Sequence, residues 1–372
     1  MGSNKVNLLP HNEEAFIKLK KCLEDNQFVA INHATGTGKS FIILKYLYEY
    51  RNKRILFLSP SYPINDQLIQ EHTKELGIDI KEFSKFDTLI YRNLLTMDMD
   101  ELANNYDIIV LDEYHRCGAK KWGAKVNELL ECIKQKHPET KVIGTTATEI
   151  RYLDNERNMN NILFDGVCAS TLTLADAMLR EILPVPIYIN SLVELSMEYE
   201  RTIQKVYKKS LYDREQNYYL KLVVGIRNQI DEIVNKEKDI GQYIKRDGKN
   251  LVFSSTISNI EKDRVIIDKL LNCKHNEYVV HSKKTKEANA RALKEFRYDS
   301  EPATLYCINI LNEGVHVKGV DSIFMLRPTT SPIIFFQQFG RLLSYSRRIV
   351  EVVVFYLKKF WLNFYLLINI FY

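Results

Sequence analysis

The chain has 372 residues, which is enough for two compact domains of ordinary size. Hydrophobic residues make up 45% and charged residues 27%, a composition that excludes a largely disordered chain. The formal net charge of +5 is compatible with a polyanionic partner but is too small to predict one.

The cysteines and the N-terminus indicate a reducing, intracellular setting. The six cysteines are scattered without a CxxC or CxxH pair, so neither a zinc knuckle nor a disulfide framework is expected. The first residues lack the basic-then-apolar pattern of a signal peptide. The sequence therefore predicts a cytoplasmic protein with free thiols and no stable membrane association.

Residues 1–168 alternate between helical and strand-like hydrophobic patterns, and we assign them to a first lobe. Such alternation predicts a parallel sheet covered by helices on both faces. The predicted elements are helices around 16–23 and 41–48 and strands at 28–31, 55–58, 107–111 and 141–145.

Residues 169–248 change to long helical patterns rich in Lys, Glu and Tyr, interrupted by an extended segment at Pro184 and Pro186. We interpret this stretch as a helical connector or insertion. Alternation resumes over 249–358 and predicts a second α/β lobe. Its predicted elements are strands at 251–253, 278–280, 304–308, 322–326 and 349–357 and a helix at 286–296.

The last residues, 359–372, form an apolar tail, in which Asn363 and Asn369 are the only clearly polar side chains from Phe360 onward. A membrane-spanning helix needs about 20 apolar residues, so the tail is too short to span a bilayer. We interpret it as a truncated or aberrant end that exposes an apolar patch. A core helix and a membrane-surface anchor are the alternatives.

The segment Ala34-Thr-Gly-Thr-Gly-Lys-Ser lies between a predicted strand and a predicted helix, which is the context of a phosphate-binding loop. Its glycines permit backbone angles that turn N–H groups toward phosphate oxygens. His33 stands where the generic pattern begins with glycine, so a strand-to-helix turn without a ligand is the alternative. The residues predicted to bind ATP here are Thr35, Gly36, Thr37, Gly38, Lys39 and Ser40, with Lys39 on the β and γ phosphates and Ser40 on Mg²⁺.

A second candidate site follows the strand predicted at 107–111, where Asp112 and Glu113 stand together. Ligands of parallel sheets bind at the carboxyl ends of the strands. Asp112 is expected to hold Mg²⁺, and Glu113 to orient or deprotonate the attacking water. Acidic pairs after strands are also common as solvated loop residues. The pair indicates a catalytic site only in combination with the phosphate-binding loop upstream.

These motifs resemble those of the DEAD/DEAH-box helicases of superfamily 2, especially the type III restriction helicase-like branch of restriction-enzyme motor subunits. The phosphate loop resembles motif I, and Asp112-Glu-Tyr-His resembles motif II. Thr146, Ala147 and Thr148 resemble motif III, which in the family couples hydrolysis to nucleic-acid contact. The resemblance implies an α/β fold of two tandem RecA-like P-loop lobes joined by the helical connector.

Three further matches carry the resemblance. Gly314 lies in a segment similar to motif V, and Gln337 and Arg341 in one similar to motif VI, whose arginine reaches the γ-phosphate in the family. Asn12 stands where the family places an adenine-reading amide; the alternative is the N-cap of a helix starting at Glu13. Ser344 departs from the motif VI pattern, in which many relatives have a second arginine.

The predicted function is an ATP-dependent helicase or translocase that hydrolyses ATP with Mg²⁺ and is stimulated by nucleic acid. DNA is favoured over RNA because the nearest resemblance is to restriction motors, which is an analogy. Two alternatives remain: a P-loop ATPase without a nucleic-acid substrate, and a hydrolysis-impaired nucleic-acid-binding module.

Overall fold

The computed structural model describes residues 6–119, 121–148, 150–151, 157–184, 245–308 and 320–326. The described residues form two compact units, one within 6–184 and one within 245–326, each built on its own parallel sheet. This confirms the predicted α/β fold with two parallel-sheet domains. Most of the predicted connector, the strand predicted at 349–357 and the apolar tail lie outside the described residues.

The first unit is a six-stranded parallel sheet with helices packed on it. Its strands are β1 Phe28–His33, β2 Arg54–Ser59, β3 Lys85–Ile90, β4 Ile108–Asp112, β5 Lys141–Thr146 and β8 Cys168–Leu172, with a short antiparallel pair, β6 Ile150–Arg151 and β7 Arg157–Asn158. Its helices are α1 Pro10–Asp25, α2 Lys39–Glu49, α3 Tyr62–Gln67, α4 Thr73–Leu76, α5 Met99–Asn104, α6 Trp122–Lys136, α7 Met159–Phe164 and α8 Leu174–Leu179. A π-helical turn, Leu68–His72, joins α3 to α4, and 3₁₀ turns lie at Ile80–Glu82, Tyr91–Thr96 and Tyr114–Gly118.

The strand order in this sheet is β3-β2-β4-β5-β1-β8. Successive residues of a strand point to opposite faces, and both faces of the central strands are buried. In β1, Phe28 and Ala30 belong to one hydrophobic cluster, and Val29 and Ile31 belong to the cluster on the other face. The uninterrupted apolar runs of the sequence are therefore strands covered by helices on both sides.

The sequence patterns do not predict the two edge strands of this sheet. β3 is half-buried along its whole length and mixes charged with apolar residues. β8 is rich in Ser, Thr and Cys, and it pairs in parallel with β1. Since β8 spans Cys168–Leu172, the first sheet continues past residue 168 into the segment predicted as connector.

The second unit is a four-stranded parallel sheet in the order β10-β11-β9-β12. The strands are β9 Lys249–Phe253, β10 Asn276–His281, β11 Ala303–Ile308 and β12 Ser322–Met325, and the helices are α9 Ile260–Leu271 and α10 Lys286–Tyr298. The four strands and α10 coincide with the strands predicted at 251–253, 278–280, 304–308 and 322–326 and the helix predicted at 286–296, whereas α9 was not predicted. Val252, Ile267 and Phe324 belong to its buried core. Within the described ranges no helix is long and apolar enough to cross a membrane.

Candidate nucleotide-binding site

The phosphate loop connects β1 to α2 and requires glycine at two places. Gly36 has a φ of 89° and Gly38 a φ of 94°, values in the left-handed region that other residues rarely adopt. A Cβ on Gly38 would also overlap Nδ2 of Asn12 and lie 3.3 Å from its Cγ. The chain at Gly38 is therefore closed to a side chain on both conformational and steric grounds, as expected of a loop that presents its backbone to a ligand.

Lys39, the first residue of α2, is buried to 9% exposure at the centre of the loop. Its Nζ donates to the carbonyl of His33 at 2.8 Å and lies 3.4 Å from the carbonyl of Ala34. The Thr37 hydroxyl also donates to Ala34 O, at 2.8 Å. These bonds hold the ammonium group over the end of β1, where the loop curves around it.

His33, which stands where the generic pattern has glycine, is the last residue of β1 and is 1% exposed. Its Nε2 lies 2.9 Å from the hydroxyl of Ser170 and so connects β1 to β8. Burial, reinforced by the positive charge of Lys39, lowers the pKa of His33 to about 3. The side chain is therefore neutral at physiological pH and adds no charge to the phosphate loop.

Asn12 lies inside the first turn of α1 and is 1% exposed. The helix begins at Pro10 with Leu9 at the N-cap, so the alternative in which Asn12 caps a helix starting at Glu13 is wrong. Pro10 explains the earlier start, because proline fits the first helical position. Oδ1 of Asn12 is buried and has no hydrogen-bond partner among the described residues. A buried amide oxygen without a partner is costly and is a candidate ligand contact.

Asp112 ends β4 and faces the phosphate loop. Its Oδ1 accepts a 2.6 Å hydrogen bond from Thr145, the residue opposite it on β5. Burial and the adjacent charge of Glu113 raise the pKa of Asp112 to about 6, although the Thr145 bond and the Lys39 charge act in the other direction. A carboxylate desolvated in this way gains from a cation placed beside it.

Glu113 adopts a left-handed conformation, with φ 52° and ψ 47°, and is 8% exposed. Non-glycine residues in this region are uncommon, and they concentrate at functional sites where the surroundings hold them. Its Oε2 lies 3.3 Å from Nδ1 of His115, which is in turn 2.8 Å from the hydroxyl of Thr146. Thr146 donates its single proton to the carbonyl of Thr148 at 2.8 Å, so His115 Nδ1 donates to Thr146.

The backbone around this acidic pair is held by two buried tyrosines, neither of which was predicted as a site residue. Tyr91 donates to the carbonyl of Asp112 at 2.8 Å and stacks on Trp122. Tyr114 donates to Oδ1 of Asn32 on β1 at 2.6 Å and packs against Phe164. Tyr114 is visible in the sequence as the third residue of motif II, whereas no spacing signal identifies Tyr91.

The loop, the acidic pair and Asn12 line one cavity of about 380 Å³. This size suits a small-molecule ligand such as a nucleotide. The cavity holds features that fit ATP and Mg²⁺: the buried Asn12 Oδ1 and Thr35 Oγ1 have no partner among the described residues, and Ser40 and Asp112 supply oxygen atoms. The predicted site residues on the cavity wall are Asn12, Thr35, Gly36, Thr37, Gly38, Lys39, Ser40, Asp112 and Glu113.

The other predicted residues divide into two groups. Thr146 ends β5, and Ala147 and Thr148 follow it directly. Thr146 is connected to Glu113 through His115, whose Nδ1 contacts both side chains. Gly314, Gln337 and Arg341 lie outside the described residues. Sequence reasoning missed Thr145, which binds Asp112 directly; its position beside Thr146 on the neighbouring strand was the available signal.

Two family models match the chain in order. The first, Type III restriction enzyme, res subunit, matches residues 5–151, and the second, Helicase conserved C-terminal domain, matches residues 235–345. No curated protein matches. The first match contains the phosphate loop and motif II, and the second contains β9 to β12.

Solved structures with a similar fold include restriction enzymes and helicases. The ATP-dependent Type ISP restriction-modification enzyme LlaBIII bound to DNA has a TM-score of 0.59 and 15% identity, covering 94% of this chain and 27% of that one. The Escherichia coli DEAH/RHA helicase HrpB has a TM-score of 0.59 and 12% identity, covering 94% and 43%. A fragment assigned as an HsdR subunit of a type I restriction enzyme from Vibrio vulnificus YJ016 has a TM-score of 0.59 and 18% identity, covering 95% and 64%.

At these identities the structural similarity shows the fold alone, and the chain spans between 27% and 64% of the length of these three neighbours. The family matches add the sequence evidence. The two family matches identify the chain as a superfamily 2 helicase whose first half is related to the res subunit of type III restriction enzymes.

Proposed function

We propose that the chain is an ATP-dependent nucleic-acid helicase or translocase that hydrolyses ATP to ADP and phosphate when nucleic acid is bound, with DNA favoured over RNA. The observation that carries the proposal is the convergence of the phosphate loop and the Asp112–Glu113 pair on one cavity. The helicase family match to the second half of the chain supports a motor rather than a single-lobe P-loop ATPase.

Binding of the triphosphate rests on the loop and on Lys39. Gly36 and Gly38 leave backbone N–H groups accessible to phosphate oxygens, and the N-terminal end of α2 adds its positive dipole. The Lys39 ammonium exchanges its carbonyl acceptors, His33 O and Ala34 O, for the β and γ phosphates. In this proposal Oδ1 of Asn12 accepts a hydrogen bond from the amino group of adenine.

The two acidic residues have different proposed roles: Asp112 in metal binding and Glu113 in proton transfer. The Ser40 hydroxyl and Asp112 would hold Mg²⁺, which would neutralise charge on the phosphate oxygens. Glu113 orients the attacking water and accepts its proton. The contact with His115 keeps the Glu113 carboxylate in place, and the His115–Thr146 hydrogen bond extends this support to motif III.

The remaining proposed roles belong to residues from both halves of the chain. By the family resemblance, Arg341 stabilises the γ-phosphate during hydrolysis, and Gly314 and Gln337 contribute to ATP binding. Thr146, Ala147 and Thr148 couple hydrolysis to nucleic-acid contact. The preference for DNA is supported by the similarity to a restriction enzyme solved with DNA. Binding through phosphate contacts is expected to weaken as salt increases, because counterions are released on association.

The decisive experiment is steady-state ATP hydrolysis by the full chain without nucleic acid and with double-stranded DNA, single-stranded DNA or RNA. We expect stimulation by nucleic acid, and the largest stimulation by DNA. Glu113→Gln serves as the matched control, because it keeps the shape and polarity of the side chain but cannot accept a proton. Hydrolysis that is insensitive to every nucleic acid would refute the motor, and binding without hydrolysis would point to the impaired binding module.

A further inference from the structure

A cluster of three metal-ligating side chains lies in the second unit, outside the nucleotide cavity. Asp268 is on α9, His275 is in the loop before β10, and Glu277 is on β10. One ligand atom from each lies within 4.8 Å of the other two. Nε2 of His275 is 3.6 Å from Oδ1 of Asp268 and 3.8 Å from Oε1 of Glu277.

The orientation of the imidazole is set by a backbone contact. Nδ1 of His275 lies 3.2 Å from the carbonyl of Cys273, and a carbonyl can only accept, so the proton of the neutral ring is on Nδ1. Nε2 then carries a lone pair that faces two carboxylates. The side chain is 4% exposed, and Nε2 has no hydrogen-bond partner among the described residues. A cation between these atoms would turn this unfavourable arrangement into a favourable one.

The distances favour a metal ion over a proton in that position. A hydrogen bond from N–H to oxygen spans about 2.7 to 3.2 Å, which is shorter than both separations. A zinc-class ion has bonds of about 2.1 Å to imidazole nitrogen and carboxylate oxygen, so two of its ligands lie ~3.4 to 3.6 Å apart at tetrahedral to trigonal angles. The 3.6 and 3.8 Å separations are close to this requirement.

The charges around His275 also favour a metal ion over a proton in this position. Arg264 pairs with Oε2 of Glu277 at 3.0 Å and with Glu261 at 2.7 Å. Oε1 of Glu277 accepts a 3.4 Å hydrogen bond from the hydroxyl of Tyr306 and lies 3.8 Å from Nε2 of His275. With a neutral imidazole, the three carboxylates and one guanidinium of this cluster carry a net charge of −2. A divalent ion would neutralise that charge, whereas one proton would leave half of it.

We propose that Asp268, His275 and Glu277 form a binding site for a zinc-class divalent cation in the second unit. The Cys273 carbonyl orients the imidazole from behind, a role typical of groups that support metal ligands. Water completes the coordination on the exposed side, where the Asp268 side chain is 59% accessible. The ion joins the C-terminal half of α9 to β10 across the loop between them. Its role is therefore structural: it stabilises the packing of α9 against β10.

The test is a competition titration of the full-length protein with Zn²⁺ against a chromophoric chelator, for the wild type, His275→Ala and Asp268→Asn. Each substitution is expected to weaken Zn²⁺ binding on the order of 100-fold and to remove the rise in Tm that Zn²⁺ gives the wild type. Asp268→Asn keeps its shape on an exposed side chain, so it remains informative if His275→Ala fails to fold. His281→Ala, at the other end of β10, is the matched control and should titrate like the wild type.

Co²⁺ in place of Zn²⁺ identifies the ligands. A nitrogen–oxygen site gives visible d–d bands without the near-ultraviolet charge-transfer band of thiolates, and these bands should be absent in His275→Ala. Equal affinity and stoichiometry in the wild type and both variants would overturn the proposal. So would thiolate-type spectra alone, which would assign the bound metal to the free cysteines. Loss of stability in the variants with unchanged metal binding would also overturn it, in favour of a protonated His275 paired with the carboxylates.

Discussion

Replacing Asp112 with asparagine should stabilise the first unit in the absence of Mg²⁺ while abolishing the Mg²⁺ response. Burial and the charge of Glu113 raise the pKa of Asp112 from 3.8 to about 6. One pKa unit corresponds to about 1.4 kcal/mol, so keeping this carboxylate ionised at neutral pH costs up to about 3 kcal/mol. The amide of asparagine avoids this cost and can still accept the hydrogen bond from Thr145.

The sign of the pH dependence follows from the raised pKa. Between about pH 4 and pH 6 the folded protein binds more protons at Asp112 than the unfolded chain does, so its contribution to stability falls as pH rises through this window. The stability gain of Asp112→Asn should therefore be near zero below about pH 4 and largest above about pH 6. For a unit of this size the full gain corresponds to an increase in Tm of roughly 5 to 10 °C.

The assay is thermal or urea unfolding of the full-length wild type and variant, with chelator or with Mg²⁺ and a non-hydrolysable nucleotide. Asp107→Asn is the matched control just before the same strand, because the hydrogen bond from Arg54 lowers the pKa of Asp107 and its loss should destabilise the protein. An Asp112→Asn variant that is less stable than the wild type at neutral pH without Mg²⁺ would refute the desolvation argument. A variant that still gains stability from Mg²⁺ would refute the assignment of the ligand.

Four further substitutions test the remaining roles. Lys39→Ala should abolish hydrolysis and weaken ATP binding in a fluorescent-nucleotide titration, because the cation on the phosphates is lost; near-normal turnover would reject the phosphate loop. Glu113→Gln should bind ATP but fail to release phosphate in a single-turnover assay. Gly38→Ala should lose ATP affinity through its clash with Asn12, whereas Gly77→Ala, with a φ of 68° and nothing within 4 Å of the added Cβ, should bind ATP normally. Arg341→Ala should reduce turnover on the order of 10³-fold with little change in ATP affinity, and an equal loss of both would indicate a static contact.

The central part of the fold was predictable because its strands are buried on both faces. An apolar run such as 108–111 has few alternatives to a central parallel strand, and the Gly-rich loop after β1 must turn into a helix. The strands at 28–31, 55–58 and 141–145 were located for the same reason. Motif spacing likewise identified the residues that line the nucleotide cavity, because phosphate binding restricts both residue type and backbone conformation.

The edge strands and the supporting contacts were not predictable from periodicity. β3 and β8 lie at the margins of the sheet, where half-burial permits mixed and polar sequences that carry no clear period. Tyr91 acts through a tertiary hydrogen bond to Asp112, and a tertiary partner leaves no local spacing signal. Thr145 also binds Asp112 from another strand, and its position beside Thr146 was the signal available for it. The start of α1 was placed late because the apolar helical pattern becomes visible only from Glu13 onward, whereas the helix begins at Pro10.

The backbone at Glu113 shows how these supporting contacts serve the proposed chemistry. A non-glycine residue with φ 52° costs roughly 1 to 3 kcal/mol, and it persists only where its neighbours fix the chain on both sides. Here Tyr91 binds the carbonyl of Asp112 before the turn, and Tyr114 and His115 bind β1 and β5 after it. Since the strain is held at the residue proposed as the base, relaxing it would move the carboxylate while leaving Asp112 on its strand. The two acidic side chains are thus supported separately: Asp112 by the sheet and Thr145, and Glu113 by the turn and its connection to Thr146.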